Sequence, residues 1–599
     1  MADAPPYLAK WAKIAERLTW IRPPDEIHVP DPAPRGAWFP GGQLNVAENC
    51  LDRHLPERHG DVAFYWEGEP EDRRVLTYGA LAEEVGRFAA ALQSLGVEPG
   101  HRVALHMGLL PETVVAMLAC ARLGAVHTIM PAVLPPEALE ERMANISARV
   151  LVTQDGAWRH GVILPLKSRA DEAVAAVSSV QHTIVVRRTG MDVAWYEGDR
   201  WYHELVAGPG FQPAGLDAFP SEHPLCVAHV ANRRERPTGV VHGSANFLAY
   251  LISLHSEVLG GRDEVFWFPS EIGWLASQGH VVYGPLVVGG TGVLYEGMLD
   301  TPSHDRAWEI VERYGVGVLA ATPSIIQSLR GWSGTHLRGR ARGSLRRLIT
   351  AGEALDDDLA SWLDRELASR GVQLLDAWGE TELGGIVAFN LPSDVHLDVP
   401  DPGLDVVDQA GRALPVGSEG ELVLREPWPG TLVALEDDDL RDLRSFSRYP
   451  GCYATGDRAV RHEDGTLRFL GRIDPVISVA GQLVSLTEIE EALLEHPYVR
   501  RAIVSERRDG RLGVGVVALI QPDSGADRDR LTIELSDHIK ETLGGLSRPR
   551  TILFADELPG ELSDEELRRA VRAFCSSHRI GATAELRGAE LADIASVRG

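Results

Sequence analysis

The alternation of two hydrophobic periods constrains this chain most. From about residue 75, LTYGALAEEVGRFAAALQSLGV repeats apolar residues at helical spacing and is stopped by Gly96, and RVALHMG follows as a short apolar strand. ETVVAMLACARLGAVHTIM repeats the helix-to-strand step, and ARVLVTQDG adds another strand. HTIVVRR, PLCVAHVA, GVGVLAATP and LRRLITAGE supply more. Strands that are apolar throughout need cover on both faces, and helices returning between them make them parallel. The fold class expected is α/β.

From about residue 400 the texture changes to short strands and turns, GSEGELVLREP and then YATGDRAVRHEDGTLRFLGRID, where Asp-Gly marks hairpins. The segment PVISVAGQLVSLTEIEEALLEHPYVRRAIVSERRDGRLGVGVVALIQP reads as a small α+β unit, with a helix at 487 to 495 and Thr487 as its N-cap. A boundary therefore falls near 474, giving a large domain over 1–473 and a small mobile one over 474–599. A length of 599 residues, too great for a single core, agrees with this.

The 59 Lys and Arg residues against 86 Asp and Glu give a net charge of -27, which excludes nucleic acid or an anionic membrane as the main partner. The only lysines are Lys10, Lys13, Lys167 and Lys540, so amines for catalysis are scarce. Five cysteines without a paired spacing read as reduced thiols in a cytoplasmic protein, and no apolar run is long enough for a membrane span.

Against this acidic background residues 229 to 243, HVANRRERPTGVVHG, put Arg233, Arg234 and Arg236 into one loop after an apolar strand. Guanidinium forks suit carboxylates and phosphates, so the three arginines are candidate anion ligands, with Glu235, Glu271 and Glu380 as internal partners that would neutralise them instead. A solvated loop is the other reading. His229 at the loop's entrance is a candidate acid or base, or a packed strand-end histidine.

Four segments in order carry a family resemblance: WFPGGQLNVAENCLDRHL, DAWGETELGG, YATGDRAVRHEDG and GRIDPVISVAGQLVSLTEIEEALLEHPYV. Together they resemble acetyl-CoA synthetases of the adenylate-forming superfamily, over about residues 38 to 570. The resemblance implies two α/β subdomains plus a β-barrel portion in the large domain, and a small α+β domain turning about Asp474. It implies a carboxylate joined to AMP and then attacked by CoA. In that frame Asp457 holds the ribose hydroxyls and Arg472 lies beside ribose and phosphate. Gly352, Glu353, Asp376 and Thr381 border the adenine and α-phosphate, and Glu382 ligates Mg²⁺.

The arginine loop falls where the resemblance expects a phosphate loop of the type Y-T-S-G-T-T-G-K-P-K-G-V. The loop glycines become Asn232 and Glu235, and its hydroxyl residues become Val230, Ala231, Arg233 and Arg234. Glycines let backbone N–H groups converge on an anion, which side chains at those positions obstruct. An expected arginine after ISVAG is Leu483, and the lysine expected near the end is Glu565. At about 4 Å and an effective dielectric near 20, exchanging attraction for repulsion there is a swing of roughly 8 kcal/mol.

On the CoA side, Arg159 in DGAWRHGVILPLK matches a phosphate contact while a second basic position is Val162. The acyl pocket would be formed by Trp378, Gly379, Leu275, Ala276 and Ala351. Gly379 stands where acetyl-CoA synthetases carry a tryptophan, and Ala276 and Ala351 replace larger residues, which implies an acid larger than acetyl.

These departures lead to the expectation of a diverged homologue repurposed in specialised metabolism. It would promote acyl transfer or condensation on a larger acyl or carboxylate substrate without ATP-dependent adenylation. AMP, an adenylate or a CoA moiety would enter only as part of that substrate, without ATP or Mg²⁺, and Arg234, Glu382 and His229 are the candidate catalytic residues. Two alternatives stay open: an AMP-forming carboxylate–CoA ligase whose arginines replace the loop, and a non-catalytic partner or scaffold. A homodimer or a partner enzyme is a further expectation.

Overall fold

In the computed structural model the described residues are 5–30, 35–207, 215–230, 238–333, 343–368, 370–391, 397–436, 444–473, 476–479, 482–509, 513–523, 525–559, 564–578, 581 and 583–586. Arg233, Arg234, Arg236 and Asp474 lie outside them.

The helix-to-strand steps fold as their periodicity requires. Thr77 caps the helix Tyr78–Ser94 by accepting from the Ala80 N–H, and Gly96 turns the chain at φ +77 toward the strand Arg102–His106. The helix Pro111–Leu123 ends on Gly124 at φ +67, and the strand Val126–Met130, buried along its whole length, follows.

These strands belong to an eight-stranded sheet in the order Asp199–Trp201, His182–Val186, Val150–Gln154, Arg102–His106, Val126–Met130, Pro224–Val230, Thr238–Gly243, Ala434–Leu435. The first six run parallel. Pro224–Val230 then pairs antiparallel with Thr238–Gly243 inside the sheet, with Val230 opposite Thr238.

A second eight-stranded sheet has a parallel centre, Gln373–Glu380, Arg347–Thr350, Val316–Ala321, Val265–Trp267, Thr291–Glu296 and Val62–Gly68, with antiparallel strands Gly385–Asn390 and Arg73–Thr77 at its edges. The Glu67 carboxylate, fully buried, anchors one edge: Arg306 lies at 2.8 Å, Arg313 at 2.7 Å and Arg73 at 3.2 Å, and the Tyr314 hydroxyl donates at 2.6 Å. Three guanidiniums around one carboxylate offset the cost of dehydrating it.

Leu404–Val407, Glu419–Leu424, Tyr453–Arg461 and Leu467–Arg472 form a four-stranded antiparallel sheet. Beyond it come the hairpin Val476–Val479 and Gln482–Ser485 and a four-stranded sheet of Val499–Asp509, Gly513–Pro522, Thr551–Phe554 and Thr583–Glu585. This last part packs its own core, in which Ile477, Ile489, Leu535 and Phe554 meet. The architecture is a mixed α/β fold with a large N-terminal domain and a small C-terminal one.

One sequence expectation needs correction. The helix Leu486–Leu494 is capped by Ser485, whose hydroxyl accepts from the Glu488 N–H, and Thr487 lies inside its first turn. Ser485 ends a strand with extended dihedrals, which is the conformation an N-cap needs.

Candidate active site

The strand Gln373–Glu380 builds the site. Its alternation puts Asp376, Trp378 and Glu380 on one side, facing the four-stranded antiparallel sheet. Trp378 Nε1 donates to Asp457 Oδ2 at 2.7 Å, and the Tyr453 hydroxyl donates to Glu380 Oε2 at 3.0 Å. Asp457 and Arg472 are cross-strand partners, and Arg472 Nη1 lies 3.6 Å from both Asp457 Oδ1 and Glu380 Oε1. Phe469 stacks on Trp378 with ring centroids 5.9 Å apart.

Burial dominates the electrostatics. The Glu380 carboxyl is pushed well above the usual carboxylate range by desolvation, then by the charges of Glu382 and Asp457, while Arg472 pulls it down. Asp376 accepts from the Thr350 hydroxyl at 2.7 Å, yet burial lifts it to about 6. Glu380 and Asp457 thus share one guanidinium, that of Arg472. Glu382 is half-buried on the short turn Thr381–Leu383, closed by Gly384 at φ +94. A Mg²⁺ ion bound through one protein carboxylate and substrate phosphates fits that placement of Glu382. Among the described residues no cluster of three or more metal-ligating side chains exists.

Gly352 follows the strand Arg347–Thr350 with φ +86, and a Cβ there would lie 2.8 Å from the Trp274 indole, so the close approach demands glycine. Glu353 turns away from the strand end and accepts from the Ser324 N–H at 2.9 Å and its hydroxyl at 2.8 Å. Gly352, Glu353, Trp378, Gly379, Thr381, Asp457 and Arg472 all line one cavity of about 930 Å³, whose far wall comes from the small domain. Trp274 was missed in the sequence reading. Its signal is a Gly-Trp pair in the loop after an apolar strand.

A second cavity of about 690 Å³ shares Trp274 and Thr381 with the first and is lined by His229, Val230 and Leu275. Burial lowers His229 to about 3, and neither ring nitrogen has a hydrogen-bond partner among the described residues. The ring is uncharged at neutral pH.

The acyl-pocket expectation changes in one respect. A Cβ on Gly379 would sit 1.8 Å from the Gly385 carbonyl oxygen, at the bulge where Gly385–Asn390 doubles back, so backbone occupies the start of the space assigned to a missing indole. Ala276 and Ala351 are buried.

Arg159 lies in the hairpin Ala157–Arg159 and Val162–Leu164, directly across from Val162, and its Nη1 is 2.7 Å from Glu271 Oε1. Glu271 thus pairs with Arg159. Glu69 holds the hairpin turn by accepting from the His160 and Gly161 N–H groups at 3.1 and 2.6 Å. Leu483 occupies the strand Gln482–Ser485, and position 565 lies in the first turn of the helix Asp564–Ser577.

A family model described as AMP-binding enzyme matches residues 51–431. The chain belongs to the AMP-binding enzyme family. Models for an acetyl-coenzyme A synthetase N-terminus and an AMP-binding enzyme C-terminal domain match residues 9–50 and 488–564. The chain is 38% identical to the acetyl-coenzyme A synthetase of Streptomyces coelicolor, covering 98% of this chain and 92% of that one. It is 38% identical to the namesake from Mycobacterium tuberculosis, covering 97% and 92%. For the one from Rubrobacter xylanophilus the identity is 35%, with 95% and 90% covered.

This full-length similarity overturns the expectation of a repurposed protein that has abandoned adenylation. An AMP-binding enzyme this close to acetyl-coenzyme A synthetases, with their N-terminal segment retained, is an acyl-CoA synthetase-like ligase. Substitutions in a loop and at two positions of the small domain are local, whereas the similarity covers 98% of this chain. Among the described residues no helix is long and apolar enough to cross a membrane.

Proposed function

We propose that the protein is an AMP-forming carboxylate–CoA ligase acting on an acid larger than acetate. A carboxylate oxygen attacks the α-phosphorus of ATP, the bond to the β-phosphate oxygen breaks, and pyrophosphate leaves. The CoA sulfur, having lost its proton, then attacks the acyl carbon, and AMP leaves with the oxygen. The observation that carries this reading is the convergence of Gly352, Trp378, Asp457 and Arg472 on one cavity in a chain similar throughout to acetyl-coenzyme A synthetases.

In this reading Asp457 accepts from the ribose hydroxyls, already oriented by Trp378. Arg472 stands beside ribose and phosphate and offsets the charge of Glu380. The backbone at Gly352 and the Trp378 indole border the adenine, with Asp376, Glu353 and Thr381 around them. Glu382 would hold Mg²⁺ together with phosphate oxygens, and the ion would neutralise phosphate charge. Arg233, Arg234 and Arg236 bind phosphate through side chains where the family resemblance expects backbone N–H groups. Arg159 serves CoA once it exchanges Glu271 for a phosphate. Positions 276, 351 and 379 carry nothing larger than a methyl, which supports an acid larger than acetate even with the Gly385 carbonyl nearby. The small domain, 474–599, turns about Asp474 between the two half-reactions.

The test is AMP release with ATP, CoA and a series from acetate to medium-chain and aromatic acids. The expected result is turnover that peaks above acetate and is lost in Arg234→Ala. Absence of AMP release with every acid contradicts the reading.

A further inference from the structure

The helix Asp564–Ser577 reaches the candidate site from the small domain, and Arg568, Arg569 and Arg572 line the same cavity as Asp457 and Arg472. Two of the three are committed to carboxylates of their own domain. Arg568 Nη2 donates to Glu490 Oε2 at 2.6 Å and its Nε to Oε1 at 3.3 Å, while Arg572 Nε lies 2.8 Å from Glu506 Oε1. Those pairs fasten the helix to the helix Leu486–Leu494 and to the strand Val499–Asp509. Arg569 differs: it is exposed, and it makes no ion pair with any described residue. A guanidinium stays protonated at any physiological pH, so a permanent cation stands in the cavity wall with no carboxylate paired to it among the described residues.

Its place on the helix adds a second, independent observation. Position 565, where the family resemblance expects a lysine and this chain has glutamate, precedes Arg569 by four residues. Four residues are one turn, about 5.4 Å of rise, and put both positions on one helix face. An arginine side chain is longer than that rise, so from one turn further along it sweeps much of the volume a lysine at 565 would reach.

We propose that Arg569 is the cation the small domain brings to the phosphate groups of the nucleotide, an assignment that rests on the ligase reading above. Its planar fork takes two phosphoryl oxygens at once and holds the charge that accumulates on departing pyrophosphate. Arg568 and Arg572, kept in place by Glu490 and Glu506, present Arg569 rather than compete with it.

The test compares wild type, Arg569→Ala and Arg569→Lys in the full chain. In carboxylate-dependent ATP–pyrophosphate exchange, Arg569→Ala is expected to lower kcat/KM for ATP roughly ten- to a hundredfold, the loss of one charge-assisted contact. Arg569→Lys is expected to recover part of it. Transfer from a pre-formed acyl adenylate to CoA should change less than about twofold, which a merely unfolded helix would not allow. Calorimetric affinity for Mg·ATP against adenosine reads the residue without turnover: Arg569→Ala should weaken ATP binding about tenfold and leave adenosine unchanged. Unchanged ATP affinity in Arg569→Ala, or equal losses for ATP and adenosine, overturns the proposal. A wild type that binds ATP through Arg569 yet catalyses no exchange with any acid overturns the ligase reading and leaves the Arg569 assignment standing.

Discussion

The Trp378 indole N–H donates to the Asp457 carboxylate across 2.7 Å, joining the strand Gln373–Glu380 of the parallel sheet to the strand Tyr453–Arg461 of the antiparallel one. The two residues are 79 positions apart in sequence. The bond fixes the carboxylate at the cavity wall before any ligand arrives, so its second oxygen is held toward Arg472 and the open space.

Asp457→Ala is therefore expected to cost both binding and order. It removes the acceptor of a nearly buried indole N–H and the acceptor of the ribose hydroxyls, and kcat/KM for ATP should fall at least about a hundredfold, the size of losing two hydrogen bonds to a charged group. Asp457→Asn keeps an oxygen for Trp378 and should lie between the two. Steady-state kinetics on the three proteins decide it.

Gly379→Ala places a methyl 1.8 Å from the Gly385 carbonyl, and nothing flexible stands in that direction to give way. The paired strands Gln373–Glu380 and Gly385–Asn390 must shift, at an expected cost of about 1 to 3 kcal/mol. A thermal melt showing no loss of stability would contradict the described bulge.

Asp376 gives a pH dependence. Its carboxyl is raised from 3.8 to about 6 by burial, with the Thr350 hydroxyl offsetting only part. As pH rises the unfolded carboxyl ionises first, so the folded state is penalised progressively between about pH 4 and 6 and fully above that. Asp376→Asn keeps an acceptor for Thr350 and removes the penalty. It should be more stable than wild type at pH 8, by up to about 3 kcal/mol, with the difference vanishing near pH 4. Denaturant midpoints at the two pH values measure it.

Glu67 and Arg73 separate a buried charge from an exposed one. Glu67→Ala leaves Arg306, itself fully buried, without its 2.8 Å partner, and should cost about 3 to 5 kcal/mol. Arg73 touches the same carboxylate but is 45% exposed, and Arg73→Ala should cost under about 1 kcal/mol. Paired unfolding curves test the contrast.

Periodicity made the parallel cores legible: the helix stopped by Gly96 folds with that glycine at positive φ, where the stop signal lies. It did not reveal that Pro224–Val230 and Thr238–Gly243 pair antiparallel within one sheet, because an all-apolar strand reads the same in either direction. Thr487 misled because Ser485 two positions earlier has an equally good hydroxyl, and only the end of the preceding strand chooses between them. In the site, Asp457 and Arg472 entered only through the family resemblance of their segments, and the Trp274 contact with Gly352 depends on a meeting of distant loops that no local pattern carries. Most telling is Glu565. A single charge at a motif position argued against adenylation, while Arg569 one turn away on the same helix is visible as a cavity residue only once the small domain is packed against the large one.

The most direct measurement of the central claim is ATP–pyrophosphate exchange by the full chain in the presence of single carboxylic acids. The account predicts exchange that requires the acid, exceeds the acetate rate with at least one larger acid, and disappears in Asp457→Ala. Exchange absent with every acid, from a folded protein that melts cooperatively, would contradict it.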